Sequence, residues 1–233
     1  MQIAEVFHSL QGEGRLAGVP SVFVRTSGCN LRCWFCDTPY TSWSPEGSER
    51  SVDGLVEDVL AFRCPQAVIT GGEPMLVAEV VPLAARLRAA GLHVTIETAG
   101  TVDLAVEADL MSISPKLSNS TPVPGRVTSA EADRLAARHD ARRHRPDVLR
   151  RLIREYDYQL KFVIDAPPDV AEVEEWLREF PEVPPARVYL MPQAIERGAL
   201  LEKSRWLAEA VLSRSWRLSP RLHVDLWGNE RGR

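Results

Sequence analysis

Apolar and polar positions along the chain fall into two alternating rhythms. Short β-branched or apolar runs at 3–7, 21–26 (SVFVRT), 67–70, 94–98, 110–114, 158–164, 187–191 and 222–226 have the length and composition of strands. Between them lie longer stretches with apolar positions three and four apart, which predict helices. The first runs to residue 63 behind a cap at Ser51 or Asp53, with Leu55, Val59, Leu60 and Phe62 on its apolar side. Others cover 76–90, ended by Gly91, then 129–138, 147–155, 170–180 and 195–213. Strand and helix in alternation predict parallel βα units joined by right-handed crossovers. About six core strands fall short of a closed eight-stranded barrel. The expected fold is therefore α/β, a partial, open (β/α)6-type barrel. Residues 1–233 form a single domain with a glycine loop at 8–14 near the N-terminus and a short C-terminal tail. There is no internal repeat and no low-complexity segment.

Composition narrows the classes of function. The chain has 233 residues and a net charge of −4, with 26% charged and 45% hydrophobic residues, which is ordinary for a globular protein. No apolar run approaches the roughly 18 residues of a membrane span. The start, MQIAEVFHSLQGEG, lacks the basic and apolar regions of a signal peptide. Four cysteines, three of them in one loop, argue against a disulfide scaffold and for a reducing compartment, the cytoplasm. The acidic balance gives no general nucleic-acid affinity. Seven arginines crowd 138–154, but they are mixed with Asp140, Asp147 and leucines, as on a solvated helix surface.

Candidate chemistry gathers where predicted strands end, the edge at which parallel α/β folds bind ligands. After 21–26 come Cys29, Cys33 and Cys36, spaced C-x3-C-x2-C. Structural zinc sites want four closed ligands, whereas iron–sulfur clusters are held by several thiolates from one short loop. Three thiolates on a cubane leave one iron free for a small molecule. Cys64 lies apart and reads as a small buried hydrophobe. After 67–70 comes Gly71-Gly72-Glu73-Pro74, where glycines allow close backbone approach and Glu73 can accept from an ammonium group. Glu97 and Thr98 suit ribose hydroxyls or a solvated strand end; Ser114 and Lys116 suit a carboxylate or ribose, although SPK alone is only a turn. Arg25, inside a strand, is either paired with a carboxylate or open to an anionic ligand.

Taken together, FHSLQGEG (7–14), FVRTSGCNLRCWFCDT (23–38), TGGEP (70–74), ETAGT (97–101), SISPK (112–116), QLKFV (159–163) and LWGNERG (226–232) resemble the 7-carboxy-7-deazaguanine synthase family. That family is a radical S-adenosylmethionine branch of queuosine biosynthesis, and the matches span nearly the whole chain. The resemblance implies a lyase. A [4Fe–4S] cluster on Cys29, Cys33 and Cys36 cleaves S-adenosylmethionine to a 5′-deoxyadenosyl radical. That radical takes hydrogen from 6-carboxy-5,6,7,8-tetrahydropterin, which contracts to 7-carboxy-7-deazaguanine with loss of ammonia. The cofactor is regenerated, and no catalytic side chain is implied beyond the cofactor-derived radical.

The resemblance also implies residue roles. Leu10, Gln11, Gly12, Glu13, Arg25, Thr70, His223 and Arg233 meet the pterin, Arg25 by its carboxylate. Phe35, Cys36, Asp37, Gly72, Glu73, Glu97, Ser114, Pro115, Lys116, Met191, Pro192, Gln193 and Ala194 hold S-adenosylmethionine. Thr38 carries Mg²⁺. A flavodoxin-like or ferredoxin-like electron donor and a homodimer complete the expectation, with no membrane and no direct nucleic-acid partner. The chain departs from some members in two places: the first cysteines have the short superfamily spacing, and the end, WGNERGR, is longer and different. Two other readings are a glycyl-radical activase, against which the loop HSLQGEG speaks, and a non-catalytic iron–sulfur or zinc protein.

Overall fold

A computed structural model describes residues 1–123 and 129–233. Among them one mixed sheet of nine strands runs in the order β3-β1-β2-β4-β5-β6-β7-β8-β9. Its antiparallel start comprises β1 (Gln2–Leu10), β2 (Pro20–Thr26) and the two-residue β3 (Ser48–Glu49). From β2 onward every pairing is parallel: β4 (Gln66–Gly71), β5 (His93–Thr98), β6 (Leu110–Ile113), β7 (Tyr158–Ile164), β8 (Val188–Pro192) and β9 (Arg217–Leu218). Strands β3 and β9 end the sheet without pairing to each other, so the barrel is open, as the sequence predicted.

Strand periodicity divides the sheet into two surfaces. On β2, Val22 and Val24 are fully buried in the core, while Phe23 and Arg25 line a cavity on the other face. On β7, Leu160, Phe162 and Ile164 face the core, and Lys161 and Val163 face the cavity. The core lies between the sheet and a helical layer: α2 (Val52–Ala61), α3 (Val80–Ala89), α5 (Pro146–Glu155), α6 (Pro167–Arg178) and α7 (Arg197–Leu212). The short α1 (Pro39–Ser42) follows the cysteine loop, and α4 (Ser129–Arg143) packs beside that loop. In α2, Ser51 is the cap, accepting from the Gly54 amide at 3.1 Å.

Several expectations are corrected. The run 222–226 is not a strand but α8 (Leu222–Trp227), and a two-residue β9 precedes it. LHVDL alternates like a strand. However, the Leu222 amide donates to the Gly12 carbonyl at 2.9 Å, and Val224 packs on Ala194 and Leu200, so tertiary contacts override the pattern. Residues 8–10 belong to β1, with His8 opposite Val22 and Leu10 opposite Pro20, so the glycine loop begins only at Gln11. Helix α3 starts at Val80, because a 3-10 turn at Pro74–Leu76 comes first. Leu60 and Phe62 are exposed at the end of α2 rather than buried. In the arginine-rich stretch, Arg143, Arg145, Arg151 and Arg154 pair with carboxylates at the surface. No helix among the described residues is long and apolar enough to cross a membrane.

Candidate active site

The cysteine loop leaves the C-terminal end of β2 and is pinned from several sides by hydrogen bonds, including those from the Arg32 guanidinium to the Cys29 and Leu31 carbonyls at 2.8 and 2.7 Å. The Arg32 amide donates to His139 Nδ1 of α4 at 3.2 Å, and His139 Nε2 meets Ser120 Oγ at 2.9 Å. Trp34 donates its indole N–H to the Asn119 carbonyl at 2.7 Å, and Trp43 donates to the Cys33 carbonyl at 3.0 Å. Gly72 brings β4 against the loop: an added Cβ would stand 2.1 Å from the Gly28 carbonyl oxygen. The absence of a side chain lets the Glu73 amide reach that oxygen at 2.9 Å.

Cys29, Cys33 and Cys36 all line the cavity, while Cys64 is buried elsewhere with its thiol on the Pro20 carbonyl at 3.2 Å. Burial, helped by Glu73 and Cys36, pushes the Cys29 thiol up to about 11; burial, helped by Cys36 and Cys29, pushes the Cys33 thiol up to about 12. Such groups become thiolates only against a strongly Lewis-acidic partner. Three adjacent thiols on the cavity wall, Cys33 buried and Cys29 and Cys36 half-buried, with no fourth at hand, fit a cluster with one open iron.

The cavity has a volume of about 490 Å³, ample for a small-molecule ligand. It opens along the strands' C-terminal ends. Gln11 donates to Glu97 at 3.1 Å, and Thr70 donates to the other Glu97 oxygen at 2.8 Å. Lys116 donates to the carbonyl and hydroxyl of Ser114 at 2.9 and 2.6 Å. Arg25 is paired with Glu5 at 2.6 Å and also lines the cavity, so the two readings of its sequence position coexist. Glu5 in turn accepts from Tyr40 at 2.7 Å and from Arg231 at 3.3 Å.

Facing the glycine loop is a knot of charge. Glu13 pairs with Lys161 and, at 3.3 Å, with Arg221, and Arg221 also pairs with Asp37. Burial opposes the charge on Glu13, but Lys161 and Arg221 outweigh it and hold its carboxyl well below the usual range. Burial pulls the His223 imidazole down, leaving it neutral beside them.

The sequence of this site has relatives. The radical SAM superfamily model matches residues 23–116. The 7-carboxy-7-deazaguanine synthase of Rhodopirellula baltica is 45% identical over 99% of this chain and 88% of its own length. That of Halobacterium salinarum is 45% identical over 98% and 91%. This chain belongs to the 7-carboxy-7-deazaguanine synthase family. The crystal structure of QueE from Escherichia coli has a TM-score of 0.69 and 26% identity, covering 94% of this chain and 92% of that one.

Within this family member the cavity gathers most of the residues expected from sequence. Leu10, Gln11, Gly12, Glu13, Arg25, Thr70, His223 and Arg233 line it, as do Phe35, Asp37, Thr38, Gly72, Glu97, Ser114, Lys116, Met191 and Gln193. Four expected cofactor contacts lie behind the wall. Glu73 is wholly buried, its carboxylate accepting from Thr98 Oγ1 and the amides of Ala99 and Met75. Burial outweighs these bonds and raises its pKa. Pro115, Pro192 and Ala194 are likewise buried outside the lining. Sequence reasoning missed Lys161, Arg221, Tyr40 and Arg231 as cavity residues. For Lys161 a signal exists: a lysine amid the apolar strand QLKFV demands a buried partner.

Proposed function

We propose that residues 1–233 act as one catalytic domain converting 6-carboxy-5,6,7,8-tetrahydropterin to 7-carboxy-7-deazaguanine with loss of ammonia. The observation that carries this reading is a single cavity with two unlike walls. One holds the three clustered cysteines; the other carries Arg25, Gln11, Glu97 and Lys161, which offer donors and acceptors to a carboxylated, polar ring. A [4Fe–4S] cluster on Cys29, Cys33 and Cys36, reduced by a flavodoxin-like or ferredoxin-like donor, would supply the electron that cleaves S-adenosylmethionine. Ser114, Lys116, Met191 and Gln193 lie on the cavity wall where they can orient that cofactor. Arg25 is placed to receive the pterin carboxylate with its fork. The enzyme works as a homodimer in the cytoplasm.

The decisive test is turnover. Anaerobically reconstituted, reduced protein given S-adenosylmethionine and the pterin is expected to yield 7-carboxy-7-deazaguanine by mass spectrometry, with S-adenosylmethionine recovered. Cleavage of S-adenosylmethionine without this product would refute the substrate assignment.

Mg²⁺ belongs to the same proposal. Thr38 Oγ1 reaches the cavity wall with Thr41 Oγ1 at 3.3 Å and Cys36 Sγ at 3.8 Å as its neighbours. Mg²⁺ keeps several waters and often takes only one or two protein groups beside substrate oxygens. Thr38→Ala should lose the Mg²⁺ stimulation of turnover and of pterin affinity while still cleaving S-adenosylmethionine. A variant stimulated as strongly as the parent removes Thr38 from the ion.

A further inference from the structure

Glu13, Asp37 and His223 place one ligand atom each within 4.8 Å of one another, a spacing that would suit a metal ion. The cation is already there, as a side chain. Arg221, whose side chain is only 4% exposed, puts Nε on Glu13 at 3.3 Å and a terminal nitrogen on Asp37, and the same nitrogen stands 3.4 Å from His223 Nε2. Its remaining terminal nitrogen donates to the Ala194 carbonyl. The next residue, Leu222, donates its amide to the Gly12 carbonyl at 2.9 Å. Lys161 adds a second positive charge on Glu13, so a divalent ion here would meet two fixed cations.

Resting on the proposed function, we propose that Arg221 is a positioning residue that locks the substrate-side loop, residues 11–14, to Asp37 beside the third cysteine. Only a guanidinium suits this place. It offers five donors in a rigid plane, enough to hold a carboxylate on one side, a second carboxylate on another and a carbonyl on a third. An ammonium is a point charge that reaches fewer partners at once. The groups meet across large sequence separations: Glu13 comes from the loop after β1, Asp37 from the cysteine loop and Ala194 from the segment after β8. The wall that meets the pterin is therefore mechanically tied to the wall that meets the cofactor. Gly12 sits at the tightest point, where an added Cβ would stand 2.1 Å from His223 Nδ1, so the loop can close only this far and no further.

The test uses the reconstituted enzyme and reads hydrogen exchange as well as kinetics. In Arg221→Gln the amides of Gln11–Gly14 and of Asp37 should exchange at least about tenfold faster together, with iron content unchanged. The KM for the pterin should rise at least about tenfold. Arg221→Lys should restore only part of the KM and exchange loss. Asp37→Asn gives a second route should Arg221→Gln fold poorly: it touches none of residues 11–14 yet should loosen them. Faster exchange confined to one segment, full rescue by lysine, or an unmoved loop in Asp37→Asn would overturn the proposal. Absence of product in the unmodified enzyme would instead count against the function itself, because exchange is read without turnover.

Discussion

Around the three cysteines the cavity wall is held by bonds to backbone groups: the Arg32 amide on His139, indoles on the Asn119 and Cys33 carbonyls, the Arg32 guanidinium on the Cys29 and Leu31 carbonyls, and the Gly72 amide on the Thr26 carbonyl of β2. Across the cavity the wall is held by ions: Lys161 with Glu13, Arg221 with Glu13 and Asp37, Arg25 with Glu5. The difference follows from what each wall must meet. Cysteines that are to bind a cluster are best presented by a loop that does not move, and backbone hydrogen bonds in a dry setting supply that. A polar, carboxylated substrate needs charge, and buried charge persists only when paired. One wall is thus rigid before any ligand arrives, and the other is an electrostatic balance that a ligand joins.

The comparison breaks most visibly at Cys33. Cys33→Ala should abolish iron binding and turnover while the urea midpoint of the protein stays close to that of the unmodified chain, since the loop is anchored by its backbone. A variant that holds a full iron complement and turns over would cancel the assignment of the cysteine wall. Lys161→Met should do the reverse. It leaves Glu13 with Arg221 alone, at a cost of roughly 3 kcal/mol, the lower end for a broken buried pair because one partner remains. Iron content should be unchanged and pterin affinity reduced; equilibrium unfolding and iron assay on one preparation decide it.

A smaller effect sharpens the contrast by pH. Burial pulls His139 down to about 4 from an ordinary 6.5, so the folded protein keeps it neutral while the unfolded chain protonates. The unfolded state binds more protons between those values, so this contribution is complete above pH 6.5 and is lost as pH falls toward 4, up to about 3 kcal/mol in all. Unfolding of His139→Gln should depend less on pH across that window than unfolding of the parent; identical slopes would remove His139 as the loop's support. The smallest change is Cys64→Ala, which belongs to neither wall. It should cost about 1 kcal/mol of packing and leave iron and turnover intact; loss of iron would make Cys64 a ligand.

The same contrast explains what the sequence disclosed. The cysteine wall comes from one stretch, 28–38, and from strand ends whose side chains follow local periodicity, so spacing alone pointed to it. So did the order of strands and helices, because each βα unit buries its own apolar face. Apart from Arg25 with Glu5, the pairs of the ionic wall join residues more than a hundred positions apart, and no local pattern announces that Arg221 will find Glu13. Segment 222–226 shows the limit most clearly: its alternation is sound as a strand signal, yet the sheet already ends at β9 and the segment coils against Gly12 instead. Glu73 shows another limit: its place in the GGEP turn is local, but the direction of its carboxylate depends on Thr98 and Ala99, one strand away.

The unpaired ends of the sheet carry one more consequence. Because β3 and β9 do not meet, the circle of strands has a seam, and what bridges it is polar: the Gly12 carbonyl with the Leu222 amide, the Gly14 amide with Ser219 Oγ at 2.8 Å, the ion pairs of Glu13, and Arg231 with Glu5 and Glu46. Parting it disturbs none of the strand ladders or the apolar core, so its cost is a fraction of that of global unfolding. The latch is thus separate from the frame: loosening the seam would leave the cysteine loop on its anchors to β2 and β4, with hydrogen exchange expected to be faster at residues 11–14 than in the central strands.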